Sequence, residues 1–415
     1  MTILDRHLAV PLVVLIIAIT TNFGLAFKRG MDHPLESDAF YFLDIAKSLA
    51  AGHGYTVRAE TYWPGQPTMR RLPGWPGALA PILRLCSDAS PDTIARCVCL
   101  LLNVAAAVLI ALLTRRITGQ NAAALFAGVA YAVHPVALHF AYLGLSEPLF
   151  LILVLLGLLC FVYGGRWVLP GFALHGLACL VRGNFVLWIG FVFLVAITAV
   201  LRGELVLSRS KIAVCAVGAV LFVLPCGLWL ARNYQITGEF PVLSTLRGQT
   251  FYGGNNPVVA HTWEFWGYWV FPDQVPGETP MRELAQSMSE YEVDTYYYQK
   301  GLAFLHENPE SVPQVLLGKL VRAYLPVPWK PRLSSLAASA YRWLIYLTAA
   351  VGIWMAWKRT SAVYRLCLPA MLLANLAVVL IFWGYVRFSF AFEPFLLPFT
   401  GVALERAWSC WRSRA

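Results

Sequence analysis

Glu36, Asp38, Arg70 and Arg71 lie within one stretch, residues 34–76 (PLESDAFYFLDIAKSLAAGHGYTVRAETYWPGQPTMRRLPGWP), set between long apolar runs. A carboxylate in a partly desolvated place has its pKa pushed up towards usefulness and can take a proton from an attacking group. Arginine presents a planar fork of donors that matches phosphate oxygens. These residue types therefore point to a base working beside a phosphate. The rival reading is structural, because acids in a first helical turn also complement the positive helix end.

The spacing shows how the stretch is built. Ser37 can cap a helix start, and Asp38, Phe42, Ile45 and Leu49 follow at helical intervals, with Asp44 and Lys47 on other faces. This predicts a short helix on the membrane surface, with Asp38 at the head of its apolar stripe. Gly52 and Gly54 end the helix, and Pro73-Gly74-Trp75-Pro76 forms a rigid turn after the arginine pair.

The chain of 415 residues is 59% hydrophobic and only 13% charged, which excludes an ordinary soluble domain and predicts an integral membrane protein. Its net charge of +10 does not indicate nucleic acid, since the basic residues form no run interleaved with stacking aromatics. Most of the nine cysteines sit in apolar runs and give neither a disulfide framework nor zinc spacing. The first apolar run is long enough to span and lacks a small-x-small cleavage site, so it reads as an uncleaved helix.

With roughly 20 apolar residues per crossing, about ten spans are expected, near 8–27, 95–114, 121–141, 146–163, 167–181, 184–201, 212–231, 339–357, 363–383 and 388–404. The fifth and sixth read as two tilted helices or as one broken pair. Basic residues favour the cytoplasm. Arg6, Arg115, Arg116, Arg166, Arg202, Arg209, Lys211, Lys358, Arg359, Arg365, Arg406, Arg412 and Arg414 then lie inside with both termini. The long segments 28–94 and 232–338 are both placed outside, the second with amphipathic helices and with Trp263, Trp266, Trp269 and Trp329 as an interfacial belt. No tandem repeat and no soluble domain with its own core is expected.

Arg182 and Arg387 break the charge rule as outer-side arginines at helix ends and need partners, head groups being the bland alternative. Glu147, after Ser146 and before Pro148, reads locally as a helix-start acid. His134 and His139 do not share a face and read as core histidines.

At this point the chain resembles a family. The fragments AAGHGY, PTMRRLPGWP, LSEPLF, LARNYQITGEF with YGGNNP, HENPESVPQVLLGKLVRAYLP and YVRFSFAFEPFLLPF, in this order over nearly the whole chain, are similar to bacterial glycosyltransferase family 39. That family belongs to the polytopic GT-C superfamily, with protein mannosyltransferases and the lipid A aminoarabinose transferase. The resemblance implies a single all-α, GT-C-like membrane domain over 1–415. It implies an active site on the outer (periplasmic) face of the bacterial inner membrane and a sugar donor linked to polyprenyl phosphate. The acceptor would be a cell-envelope glycolipid, a glycan or a protein. Asp38 matches the first-loop acid, with Glu36 completing a Glu-x-Asp pattern, and both are assigned to catalysis. Arg70, Arg71, Arg182, Arg232 and Arg387 match arginines assigned to the donor phosphate, while Glu147, Asn255 and Lys319 are assigned to the site lining. A monophosphate leaving group held by arginines does not strictly need a divalent ion, so the reading assigns no cofactor and leaves a divalent metal open.

Two other classes compete. A lipid-linked glycan flippase would also want arginines at an outer cavity, but no inverted repeat is visible. An O-antigen polymerase or ligase shares the architecture and would use a pyrophosphate-linked donor.

Overall fold

The computed structural model describes residues 3–59, 62–203, 208–240, 242–325 and 333–414, without the side chains of 3–7 and 333–334. Trp329 and the Arg6 side chain therefore lie outside the described residues. The described residues are helical, and among them the one strand-like contact is an isolated bridge between Thr56 and Pro67.

In chain order the helices are α1 (Ile3–Arg29), α2 (Ser37–Ala50), α3 (Gly74–Leu85), α4 (Pro91–Thr118), α5 (Asn121–Ala132), α6 (Pro135–Tyr142) and α7 (Glu147–Tyr163). Then follow α8 (Val168–Val181), α9 (Val186–Leu201), α10 (Arg209–Thr237), α11 (Arg247–Gly253), α12 (Pro257–His261) and α13 (Met281–Leu284). The remainder are α14 (Glu290–Glu307), α15 (Val312–Tyr324), α16 (Leu333–Ala356), α17 (Ala362–Ile381), α18 (Val386–Phe390) and α19 (Leu397–Arg412).

Among the described residues, six helices are long and apolar enough to cross a membrane, or seven if α5 and α6, bent by 49° to each other, make one span. This is a multi-pass membrane protein. Every expected span contains helix, but the count of ten is not matched by this measure. Helices α7 and α8 are shorter apolar helices, and the 121–141 span is broken before Pro135. The last expected span, 388–404, is also broken: Pro394 and Pro398 interrupt it, so that α18 and a 3-10 turn precede α19.

The main core joins α1, α4, α5, α7 and α8 through residues such as Val14, Ala107, Tyr131, Val154, Leu158 and Phe172, with α16, α17 and α19 packed on it. The long segments 28–94 and 232–338 share a hydrophobic cluster of their own. Trp63, Tyr252, Val259, Val270, Val293, Tyr297, Phe304 and Val315 form a second cluster. Aromatic residues there bury enough area to hold turn-rich chain in place.

Helix α14 is capped by Ser289 with a capping box to Glu292, while Pro280 precedes the one-turn α13. His139 is exposed and 3.3 Å from Arg29, not in the core, whereas His134 is fully buried.

The contact between α11 and α14 carries a pH prediction. Asp294, buried on α14, accepts the Gly248 amide at 2.5 Å and lies 3.2 Å from Arg247 Nη2. Burial pushes its pKa up from 3.8 to about 6, more than that amide and Arg247 pull it down; Glu290 adds to the rise. A carboxyl with a raised folded pKa stabilises most below its unfolded value and loses that contribution as pH rises through the folded one. The contact should therefore weaken between about pH 4 and pH 6. Amide exchange of the 247–254 peptide, corrected for intrinsic rates, would show it, and Asp294→Asn should remove the dependence.

Candidate functional site

The chain entering α2 is held by α4. Arg96, almost fully buried, donates to the carbonyls of Tyr142 (2.9 Å), His33 (2.8 Å) and Met31, and Asp92 accepts the Leu35 amide at 2.7 Å. Helix α2 then begins at Ser37, whose φ of +55° is the one positive value among described non-glycine residues. Ser37 does not cap as expected. Glu36 occupies the cap position without a side-chain bond, and the strained backbone lies next to Asp38.

Helix α2 buries Ala39, Phe42, Leu43, Ile45, Ala46 and Ser48. Asp44 and Ser48 anchor the following loop, Asp44 accepting the Arg58 amide at 2.6 Å and Ser48 pairing with Thr56 at 2.7 Å. From the other side, Glu290 of α14 accepts the Met69 amide (2.8 Å) and the Thr68 hydroxyl (2.9 Å). The stretch of chain leading to Arg71 is thus fixed from both long segments, 28–94 and 232–338.

At the centre, Arg71 Nη2 donates to Asp38 Oδ1 at 2.7 Å, and Arg387 donates to Asp38 Oδ2. Arg387 also donates to Glu147, through Nε to Oε1 and through Nη2 to Oε2 at 3.3 Å, and Arg182 Nη1 donates to Glu147 Oε1 at 2.6 Å. The run Arg71, Asp38, Arg387, Glu147, Arg182 is one continuous ion network. Glu147 is 4% exposed and Asp38 is 29% exposed, so the network opens to the surface at Asp38. Three guanidiniums meet two carboxylates, which leaves one net positive charge. In addition, Arg71 Nε is buried without a hydrogen-bond partner among the described residues, under the Tyr41 and Phe42 rings. Such a donor is costly to leave unpaired.

The basicity expected of Asp38 has the wrong sign in this structure. Burial alone would raise its carboxyl, but the Arg71 and Arg387 guanidiniums outweigh burial and hold it well below the usual carboxylate range.

Arg182 also faces an apolar crevice lined by Phe150, Trp188, Met371, Val378, Phe388 and Phe392. Tyr385 is near enough to Arg387, Glu147 and Asp38 to interact electrostatically with all three.

Arg70 and Arg232, assigned to the same phosphate from sequence, have other partners. Arg70 reaches Gln249 at 3.2 Å and the Met281 sulfur at 3.5 Å. Arg232 donates to the Thr68 carbonyl at 2.8 Å and stacks on Tyr55 and Trp229. Adjacent residues on an extended turn point to opposite sides, which is why only one of the Arg70–Arg71 pair faces Asp38. Glu36 is exposed and has no place in the network.

Asn255 and Lys319 form a separate group. Lys319, fully buried on α15, donates to Asn255 Oδ1 (2.8 Å) and to the carbonyls of Leu380 (2.9 Å) and Ile381 (3.4 Å). Burial pushes its pKa down to about 7, while the two carbonyls at the α17 C-terminus and the Asn255 amide oxygen favour the ammonium form. Glycines make this crossing possible: Gly267, at φ +67°, lies so close to α15 that an added Cβ would stand 2.0 Å from the Gly318 carbonyl carbon.

Ser146 makes no side-chain cap bond, so Glu147 starts α7 without the hydroxyl cap expected. For a metal, no group of three His, Cys, Asp or Glu side chains gathers as a ligand set among the described residues. Sequence reasoning missed Glu290, which looks like any first-turn acid, and the Arg342–Glu393 pair. That pair had a signal, since charged residues inside apolar spans are expensive.

The arginine pair gives a direct test. Arg71→Ala removes a partner of Asp38, whereas Arg70→Ala removes contacts to Gln249, Met281 and the Trp63 ring. Affinity for a phosphate-bearing lipid, measured on full-length protein in nanodiscs, should fall roughly 10-fold or more with Arg71→Ala, the weight of a charge-assisted bond, and several-fold less with Arg70→Ala. Equal losses would deny Arg71 its special place.

No protein-family model matches the sequence, and no curated protein does. Among solved structures, the chain is similar to the crystal structure of ArnT from Cupriavidus metallidurans bound to undecaprenyl phosphate. The two are 14% identical, with 97% of this chain and 79% of that one covered, at a TM-score of 0.45.

Proposed function

We propose that this chain is a GT-C-type membrane glycosyltransferase that moves a sugar from a polyprenyl-phosphate-linked donor to an acceptor on the periplasmic face of a bacterial inner membrane. The acceptor class is a cell-envelope glycolipid, glycan or protein. The observation that carries this reading is the convergence of Arg71, Arg182 and Arg387, from three distant parts of the chain, on Asp38 and Glu147 with one positive charge in excess. The order of sequence fragments described above supports the reading independently.

In this reading an acceptor hydroxyl or amine attacks the anomeric carbon, the bond from that carbon to the phosphate oxygen breaks, and polyprenyl phosphate leaves with the electron pair. Asp38 takes the acceptor's proton. Negative charge develops on the leaving phosphate, where Arg387, Arg71 and Arg182 would meet it in a low-dielectric setting. The apolar crevice beside Arg182 suits the first isoprene units of the lipid.

The low basicity of Asp38 then becomes part of the cycle. A phosphate drawing Arg71 and Arg387 towards itself releases the carboxylate from pairing, so its proton affinity rises when donor is in place. A base that strengthens only with donor bound is protected from idle protonation.

The experiment measures binding of undecaprenyl phosphate to full-length protein in nanodiscs, beside undecaprenyl pyrophosphate. Tighter binding of the monophosphate, weakened by Arg387→Ala, is expected. Preference for the pyrophosphate, or indifference to both, would sink the proposal. Comparing envelope glycolipids and glycoproteins by mass with and without the protein would then name the sugar, through the increment that goes missing.

A further inference from the structure

Arg387 sits on an irregular stretch, and the structure shows what keeps that stretch still. From Val386 to Leu396 the chain makes α18 and a 3-10 turn in place of a continuous helix, inside the apolar bundle. Backbone carbonyls freed there must find donors, since hydrocarbon offers none. Asn375 donates through Nδ2 to the Phe388 carbonyl at 2.7 Å and accepts the Tyr324 hydroxyl on Oδ1 at 2.6 Å, while Tyr364 donates to the Phe395 carbonyl at 2.6 Å.

The stretch is also gripped by charge. Arg342 of α16 donates through Nε to Glu393 Oε1 at 2.6 Å and through Nη2 to Ser389 Oγ at 2.8 Å, and Ser389 donates to the Val386 carbonyl at 3.2 Å. Tyr346 donates to the same Glu393 oxygen at 2.5 Å. His134 completes the set. Its Nδ1 accepts the amides of Val136 (3.2 Å) and Ala137 (3.4 Å), so Nε2 carries a proton and donates to Glu393 Oε2 at 3.2 Å. Glu393 and His134 are both 0% exposed, and Arg342 is 4% exposed.

We propose that Arg342 and Glu393, with His134 and Tyr346, are positioning residues that hold the Val386–Leu396 stretch so that Arg387 reaches Asp38 and Glu147 together. A buried ion pair adds little stability over well-packed apolar residues, and its distinctive contribution is a single fixed geometry. Here that geometry includes both ends of the stretch: Arg342 touches Ser389, two residues from Arg387, and Glu393, six residues from it. The effect on ligand binding rests on the transferase reading, whereas the effect on the stretch itself does not.

The test uses full-length protein in nanodiscs and two changes: Glu393→Gln, and the apolar replacement Arg342→Met together with Glu393→Leu, which spares the fold if the pair alone fails. Hydrogen exchange of the peptides covering 386–396 should speed up in both, while those covering α2 and α7 stay as they are. Undecaprenyl phosphate affinity should fall roughly 10-fold, as for lost outer-shell support, yet show no further fall when Glu393→Gln is added to Arg387→Ala. Unchanged exchange in the 386–396 peptides would overturn the proposal, as would losses that simply add. If the wild-type protein ignores undecaprenyl phosphate, the transferase reading fails, and the exchange result alone decides on the positioning role.

Discussion

Asp38→Asn is expected to leave a folded protein whose sugar transfer is slower by roughly 100-fold to 10,000-fold, the usual weight of a general base. The substitution keeps the shape of the side chain and one acceptor oxygen, so Arg71 or Arg387 retains a partner. The other guanidinium faces an amide that cannot offset its charge. Binding of undecaprenyl phosphate should persist or tighten, because a competing anion has gone while the arginines remain. That combination, transfer lost and lipid retained, separates a base from a residue that merely builds the site. Near wild-type transfer by a folded Asp38→Asn protein would remove Asp38 from the chemistry.

Arg387→Ala is expected to be the most damaging single change, because this side chain is shared by both carboxylates. Its side chain is 18% exposed, and its loss leaves Glu147, 4% exposed, with Arg182 alone and Asp38 with Arg71 alone. Breaking a buried ion pair by removing one member costs about 3–5 kcal/mol. The partial exposure of Asp38 argues for the low end, about 3 kcal/mol. The charge balance also falls from one positive to neutral, so lipid-phosphate affinity should drop together with stability. Adding Glu147→Gln to Arg387→Ala should recover part of the stability, since the stranded charge is removed, without restoring binding. A loss below about 1 kcal/mol in an unfolding titration would be the value of a surface pair, and would mean that the network is open to water in solution.

Much of the architecture can be read from the residues. The long apolar runs carry the membrane assignment because a spanning segment must satisfy its own backbone and cover itself with apolar side chains. Their breaks were harder to see. The interruption at Pro394 and Pro398 falls inside a run that is apolar on both sides, so hydropathy alone reads through it, whereas the short α8 matches the expected 167–181 closely. The second hydrophobic cluster has no sequence signal for a related reason. Its members, Trp63, Tyr252, Val259 and Tyr297, are scattered over turn-rich chain with no period to announce them.

The candidate site divides in the same way. The sequence by itself determined which residues are conspicuous: an acid heading an apolar stripe, and arginines at the ends of apolar helices where a charge is expensive without a partner. Asp38, Arg182 and Arg387 stand out on that ground, through rules that act within a few residues. Only the tertiary structure decided who meets whom. Arg387 finds Asp38 across 349 positions and Arg182 finds Glu147 across 35, pairings that depend on which helices are neighbours. The same neighbours turned Arg71 inward and Arg70 outward, gave Arg232 to Thr68, and lowered the Asp38 carboxyl where burial alone would have raised it. Electrostatics sums over everything within a few ångströms, and that list does not exist until the chain has folded.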